Sequence, residues 1–354
     1  MKILQVVDQL NQGGTERVAV DLAILLSKEE GIEVSFYCLL TPSVLDIELT
    51  HEDIKVDYLK RKNKYNLIKL IQLFSEFNKY DIIHLHSRQV LRYAGLLYLF
   101  PKKRNFKMIF HDHYGTIDND KKYSNYLKFC IQQMDAYIGV SESLVNWAKD
   151  HQLQQKTYLL PNIIRKQDAF LKLKTCGDII VIGNFRPQKN YEYLCNLISK
   201  LPNSISVDLY GNPTDKEYYD KIVALAKKLN ITSRLTIISG ESKVLQRIKN
   251  YKLALHCAPS ETGPLVAIEY LSKGVPFFMY QTGEVAKVLK KYESNVLISN
   301  FEISNWVTTI LNLLKDQQLK EKMVRINHEI FNTHFSEKAY IEKCLKMYDD
   351  ILNS

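Results

Sequence analysis

Short apolar runs and longer amphipathic stretches alternate along this chain, and the rhythm stops and restarts once. In the first half, ILQVV, EVSFYCLL, DIIHLHS, KMIFHDH, AYIGVS and TYLLPN read as buried strands rich in Ile, Val, Tyr and Phe. Between them ERVAVDLAILLSK, YNLIKLIQLFSEFNK and SNYLKFCIQQM carry apolar residues at helical spacing. A polar, less patterned segment follows, RKQDAFLKLKTCG. The pattern then resumes with the strand-like runs DIIVIGN, ISVDLYGN, RLTIIS, KLALHCAPS, VPFFM and NVLIS, separated by helices such as NYEYLCNLISKL, EYYDKIVALAKKLN and VLQRIKNY. Strand–helix alternation of this kind predicts parallel sheets covered by helices, an α/β class. The tail, SEKAYIEKCLKMYDDIL, reads as an amphipathic helix with no strand after it. A chain of 354 residues is longer than the size, about 250–300 residues, at which single cores stop growing. We therefore expect two Rossmann-like domains, 1–168 and 169–335, with a boundary region near 165–176.

Open parallel sheets bind ligands at the carboxyl ends of their strands. Those ends carry Gly13 and Gly14, His84 and His86, His111 to His113, Gly183 to Lys189, and the segment PSETGPLVAIEYLSKGVP. Two facing domains would bring them to one cleft. In the last segment Glu261 and Glu269 frame Gly263 and Pro264, and Gly274 and Pro276 close it. Proline suits a first helical turn and glycine a helix end, so a helix is expected from about Pro264 to Lys273. On one continuous helix, residues eight apart would be separated by roughly 12 Å. A loop before the helix instead lets Glu261 fold back across its mouth. The N–H groups there, near Leu265 and Val266, form a ready anion site. Carboxylates that bind hydroxyls beside an anion site suit a nucleotide sugar. By itself the pair also fits a plain helix start, with Glu261 as a cap and Glu269 as a solvated residue.

These segments together resemble the retaining family 4 glycosyltransferases, of the glycosyl transferases group 1 and the GT-B fold. The Glu261–Glu269 stretch is similar to that family's E-x7-E signature, and GNFRPQKN to its phosphate-contacting loop. NQGGTERVAVDLA resembles its first Gly-Gly turn, DIIHLHS its fourth strand, VSES a segment near the end of the first domain, and LPNII the strand leading to the linker. The matches run in family order over nearly the whole chain. The resemblance implies two domains facing across a cleft: an N-terminal acceptor domain, 1–168, and a nucleotide-sugar domain, 169–335. It also implies that the tail helix, at about 336–354, crosses back to the first domain. By the same resemblance Glu261 binds donor-sugar hydroxyls, Glu269 the ribose, and Lys189 the diphosphate, with amides of Gly263 to Val266 beside it. Gly13, Gly14 and Thr15 let backbone approach the phosphate, and His111 lies near the reacting sugar. The family's arginine position is Asn184 here; Arg186, two residues on, is the expected substitute, since guanidinium pairs well with phosphate.

Composition narrows the partners. A net charge of +9 favours an anionic partner. The basic clusters are Lys60-Arg61-Lys62-Lys64, Lys102-Lys103-Arg104 and Lys121-Lys122. They read as solvated loops or as a face for an anionic membrane. No nucleic-acid-binding motif accompanies them. The runs Leu67 to Phe77 and Leu91 to Phe100 fit core packing with some membrane contact. The start MKILQVVDQL is too short an apolar run for a signal peptide, and no segment reaches membrane-span length, so the expected place is the cytoplasm, including the inner face of the cell membrane. Six scattered cysteines suit reduced, mostly buried thiols. The pairs His84/His86 and His111/His113 each share a strand face, but no third or fourth ligand is evident, and no metal is expected. Asp118 and Asp120 read as loop or capping residues.

The expected activity is transfer of a sugar from a nucleotide-diphosphate sugar, UDP- ahead of GDP-, to a glycan or isoprenoid-lipid-linked acceptor in surface polysaccharide synthesis. No cofactor beyond the donor co-substrate is required in this reading. A nucleotide-sugar 2-epimerase and a non-catalytic sugar-nucleotide-binding protein stay as alternatives. An epimerase would convert the donor alone.

Overall fold

The computed structural model describes residues 1–11, 13–62, 66–99, 104–166, 170–173, 176–241, 243–292 and 295–354. Two compact units emerge, Met1–Arg165 with Glu337–Ser354, and Lys166–Ser336. The expected boundary between 168 and 169 falls outside the described residues, as do Lys64, Phe100, Lys102 and Lys103 of the basic and apolar runs.

The first unit is built on seven strands: β1 (Lys2–Val7), β2 (Glu33–Cys38), β3 (Lys55–Tyr58), β4 (Ile82–His86), β5 (Lys107–Asp112), β6 (Ala136–Gly139) and β7 (Thr157–Leu159). They pair in parallel in the order β3-β2-β1-β4-β5-β6-β7. β1 and β4 are buried nearly throughout, because helices cover both faces of a parallel sheet and leave no solvent side. The strand β3 was not among the expected ones. Its sequence, KVDY, is half polar, and it pairs with β2 at the edge of the sheet formed by the described residues.

The tail folds into the helix Glu337–Leu352 and belongs to this unit. Tyr340, Ile341, Cys344, Met347, Tyr348 and Ile351 recur every three or four residues and form its buried stripe. The stripe meets the helix Gly14–Leu26 and reaches the sheet, where the Tyr348 hydroxyl lies 2.7 Å from His84 Nδ1. In the helix Leu67–Phe77 the residues Leu70, Leu73 and Phe77 are core, whereas Ile68 and Ile71 are 77% and 51% exposed. Leu91, Tyr93, Ala94 and Leu97 are core as well. Among the described residues, no helix is long and apolar enough to cross a membrane.

The second unit has six parallel strands: β8 (Ile179–Ile182), β9 (Val207–Tyr210), β10 (Leu235–Ile238), β11 (Leu253–His256), β12 (Phe277–Tyr280) and β13 (Leu297–Ile298), in the order β10-β9-β8-β11-β12-β13. The expected helix over VLQRIKNY is shorter, a single turn at Val244–Arg247 followed by a 3-10 turn at Ile248–Asn250. The order reverses between β8 and β11. In open α/β sheets the loops leaving such a pair of strands diverge, and ligands bind at the carboxyl ends there. GNFRPQKN follows β8, and the segment leading to Glu261 follows β11.

Candidate active site

The loop after β8 is shaped by two close approaches and one anchor. A Cβ at Gly211 would stand 2.0 Å from the Gly183 carbonyl oxygen, so the two chain segments touch there. A Cβ at Gly183 would lie 2.8 Å from the Tyr191 hydroxyl and 3.1 Å from Lys189 Cε, in the path of the lysine stem. Phe185 is the anchor, fully buried with its ring 5.1 Å from Tyr191 and 4.8 Å from Tyr219. Asn184, at the family's arginine position, accepts a hydrogen bond from the Asn212 N–H through Oδ1 at 3.1 Å. Its side chain therefore holds the loop together. Arg186 is exposed and donates from Nε to Thr214 Oγ1 at 3.3 Å. A single 3-10 turn, Pro187–Lys189, then aims Lys189 inward, and Asn190 leaves it with φ of 56°.

Two side-chain bonds fasten this turn to the segment after β11. Gln188 Nε2 donates to the Ser260 carbonyl at 3.1 Å, and Asn190 Nδ2 to the Cys257 carbonyl at 3.3 Å. Lys189 Nζ then meets Glu261 Oε1 at 2.5 Å, with side chains only 22% and 12% exposed. The Glu261 backbone is propped from behind. Its N–H donates to Thr282 Oγ1 at 3.1 Å, and the Glu284 N–H donates to the Thr262 carbonyl at 2.8 Å. Gly283 sits between with φ of +75°, and a Cβ there would come within 2.3 Å of the Glu261 carbonyl oxygen. The site thus depends on Thr282 and Gly283, which sequence reading did not single out.

His256 was missed as well. It ends β11, is 3% exposed, and brings Nε2 to 3.2 Å from the same Glu261 Oε1 that Lys189 holds. A polar residue closing the apolar run LAL was the available signal. Burial by itself pushes the Glu261 carboxyl up. The Lys189 ammonium and then His256 outweigh it and hold the group well below the usual carboxylate range. Glu261 is therefore an ionised acceptor of hydrogen bonds, not a proton donor.

The helix Leu265–Lys273 begins four residues on, with Pro264 as its cap and Gly274 closing it at φ of 66°. Of its first-turn N–H groups that of Ala267 donates to the Pro264 carbonyl at 3.1 Å, while those of Leu265 and Val266 lie at the positive end of the helix dipole. Gly263, Pro264, Leu265 and Val266 make up this mouth, and Glu269 stands half-buried within the helix. Lys189, Glu261 and the helix mouth thus converge inside one unit.

The remaining expected residues belong to the first unit. Gly13 caps the helix Gly14–Leu26, and Thr15 is in its first turn. A Cβ at Gly13 would collide with the Glu16 carboxylate at 2.1 Å. Parallel register sets His86 opposite His111, so the two H-x-H pairs merge into one buried cluster. A third potential ligand is therefore present, contrary to the sequence reading: His84, His86 and His111 offer nitrogens within 4.8 Å of one another. Those nitrogens are nevertheless engaged. His84 Nε2 lies 3.2 Å from His111 Nδ1, His86 Nδ1 lies 3.2 Å from His113 Nε2, and His86 Nε2 lies 2.7 Å from Gln5 Oε1. His111 Nε2 faces the Leu160 carbonyl at 3.3 Å. A carbonyl only accepts, so His111 Nε2 carries the proton. His111 Nδ1 then accepts from His84 Nε2, and the Tyr348 hydroxyl donates to His84 Nδ1. A cation would have to displace these bonds.

His111, expected to face a substrate, is instead fully buried with both ring nitrogens engaged, and His113 is the histidine of that pair that stays half-buried. Burial first, and neighbouring imidazoles second, push His84, His86 and His111 well below the ordinary histidine value. Burial brings His113 down to about 3. Beside the cluster the Asp112 carboxylate takes Arg88 Nε and Nη2 at 3.0 and 2.8 Å and the Tyr137 hydroxyl at 3.0 Å. Asp120 bonds the Tyr114 hydroxyl and the Lys122 N–H, a loop role.

Comparison with known proteins agrees with this architecture. A model of the glycosyl transferases group 1 family matches residues 142–329, more than half of the chain, and one of glycosyltransferase family 4 matches residues 12–167. N-acetyl-alpha-D-glucosaminyl L-malate synthase of Bacillus anthracis is 22% identical over 290 residues, covering 77% of this chain and 75% of that protein. The capsular polysaccharide biosynthesis glycosyltransferase CapH of Staphylococcus aureus is 23% identical over 341 residues, 89% of this chain and 91% of its own length. The solved structure of HepE from Anabaena, in complex with UDP and glucose, matches with a TM-score of 0.84 at 13% identity, covering 99% of this chain and 100% of that one. The chain belongs to the glycosyl transferases group 1 family and is a glycosyltransferase of the GT-B fold.

Proposed function

We propose that this enzyme moves a hexosyl group from a UDP-sugar, in preference to a GDP-sugar, to a glycan or isoprenoid-lipid-linked acceptor, with retention of anomeric configuration. The observation that carries the reading is the largely desolvated Lys189–Glu261 pair at 2.5 Å beside the mouth of the helix Leu265–Lys273. Without a ligand the two desolvated charges compensate one another. A nucleoside diphosphate supplies the anion that draws the Lys189 ammonium, and the sugar supplies hydroxyls that donate to Glu261. Glu269 is proposed to bind the ribose and Arg186 the phosphate. A UDP complex of HepE supports a uracil donor by likeness.

In the reaction the bond from the anomeric carbon to the diphosphate oxygen breaks, and its electron pair leaves with the diphosphate. Lys189 and the helix dipole stabilise that growing charge, which no bound metal is needed to do. The acceptor oxygen forms the new bond from the same face, and its proton passes to the departing phosphate oxygen. Glu261, paired and ionised, orients the sugar and does not act as acid or nucleophile. The likeness to CapH supports a role in surface polysaccharide synthesis. Exposed Ile68 and Ile71, with exposed Lys62 nearby in the chain, support contact with an anionic membrane on the cytoplasmic face.

Incubating the enzyme with UDP- and GDP-sugars and membrane-derived acceptors tests the reading. Nucleoside diphosphate release that depends on acceptor and persists in EDTA is expected, with a glycosidic product of the donor's configuration by NMR. Donor conversion without acceptor, or inversion, would sink it.

A further inference from the structure

We infer that His256 is a positioning residue that keeps the Glu261 carboxylate aimed at the donor sugar when Lys189 turns to the diphosphate. The inference rests on the reading of Glu261 as the sugar-hydroxyl acceptor. Glu261 Oε1 is bonded by Lys189 Nζ at 2.5 Å and approached by His256 Nε2 at 3.2 Å, while among the described residues no group bonds Oε2. One oxygen is thus clamped and the other is left for a hydroxyl.

The two clamps differ in mobility. Lys189 stands at the end of a four-carbon stem in a loop. His256 lies in a strand paired on both sides, with β8 and with β12, and opposite Met279. A ring that is 3% exposed has nowhere to swing. For Nε2 to face a carboxylate it must carry a proton, and in the neutral ring Nδ1 is then a bare lone pair. Among the described residues neither Nδ1 nor Nε2 completes a hydrogen bond, so the approach of Nε2 to Glu261 at 3.2 Å is a close polar contact. Ser260 Oγ, next to Glu261, is likewise buried without a partner among the described residues.

Unpartnered buried polar atoms are destabilising, and an apolar residue after Leu253, Ala254 and Leu255 would avoid that loss. Their concentration around Glu261 fits a pocket that is completed by its ligand. With the donor bound, Lys189 shifts toward the diphosphate, the His256 N–H becomes the remaining protein contact on Oε1, and Oε2 stays directed at the sugar.

The side-chain geometry gives a discriminating test. A glutamine amide nitrogen falls where Nε2 is, an asparagine amide nitrogen where Nδ1 is. Full-length wild type, His256→Gln, His256→Asn and His256→Leu would be titrated calorimetrically with UDP, UDP-glucose, UDP-galactose and UDP-N-acetylglucosamine. The expected result is that His256→Leu and His256→Asn keep the affinity for UDP but lose about ten- to a hundredfold for the sugar nucleotide that wild type prefers, the weight of one bond to a charged group. His256→Gln should recover most of that loss. Equal weakening toward UDP and UDP-sugar, no change in any variant, or equal behaviour of Gln and Asn would overturn the inference and leave the function intact. A wild type that binds no sugar nucleotide would remove the function and the inference together.

Discussion

The histidine cluster of the first unit and the Lys189–Glu261 pair of the second both stand at or just beyond carboxyl ends of parallel strands, the first fully buried and the second largely withdrawn from water. They resolve burial in opposite ways. His84, His86 and His111 have only other neutral groups for partners, so the cluster stays uncharged and is held by directed hydrogen bonds. Glu261 has an ammonium at 2.5 Å and remains ionised. The same desolvation removes charge where nothing compensates it and stores charge where a counter-ion sits alongside. The neutral cluster fastens the fold; the charged pair is poised for an anion to disturb.

Acidification should separate the two regions most strongly. The histidines have folded values depressed below 6.5, so below that pH the unfolded chain binds more protons than the folded one. Their stabilisation is complete above pH 6.5 and is lost as pH falls toward the folded values. With three fully buried rings, the loss approaches about 4 kcal/mol per pH unit as an upper bound. Glu261 is also depressed, but its contribution is present above the ordinary carboxylate value and fades only below it. Urea midpoints from pH 8 to pH 5 should therefore fall steeply between 6.5 and 5, and His84→Gln should flatten the curve. A flat curve in the wild type would mean that the cluster is already charged.

Breaking the ion pair comes next. Lys189→Met leaves a buried carboxylate without its ammonium and should destabilise the second unit by about 3–5 kcal/mol, whereas Lys189→Met combined with Glu261→Gln should recover much of it. Denaturant melts of the single and double variants read this directly. If the double variant is no better than the single, the pair is not coupled as the 2.5 Å contact implies.

Tyr348→Phe removes the donor to His84 Nδ1 and should lower stability by about 1–3 kcal/mol, with earlier hydrogen exchange along Glu337–Leu352. Unchanged exchange there would detach the tail helix from the cluster. The smallest effect on stability belongs to Arg186→Ala, within about 0.5 kcal/mol, since the residue is exposed and among the described residues bonds only Thr214. Weaker UDP binding by that variant would mark Arg186 as the phosphate contact that Asn184, bonded to Asn212, does not provide.

The two sheets were legible because buried parallel strands leave apolar runs, and β3 escaped because KVDY at an edge does not. The helix Leu265–Lys273 was marked by Pro264 and Gly274, whose backbone roles are local. The approach of Lys189 to Glu261 came through family likeness, not spacing, since they lie 72 positions apart. Register is what sequence reading lacked. His86 faces His111 only because β4 and β5 pair as they do, which turned two separate motifs into one cluster and closed His111 off. His256 stayed unseen for a similar reason: one polar residue at a strand end has no pattern until its carboxylate partner is in place.

The account turns on Lys189 and Glu261 as the donor site, and a thermal-shift series with UDP-sugars on wild type, Lys189→Ala and Glu261→Ala tests this most directly. A sugar nucleotide at a hundred times its dissociation constant should stabilise the wild type by about 2.7 kcal/mol. Both variants should lose most of that gain, and Glu261→Ala should still respond to UDP alone. Equal shifts in all three proteins, or none in the wild type, would contradict the account.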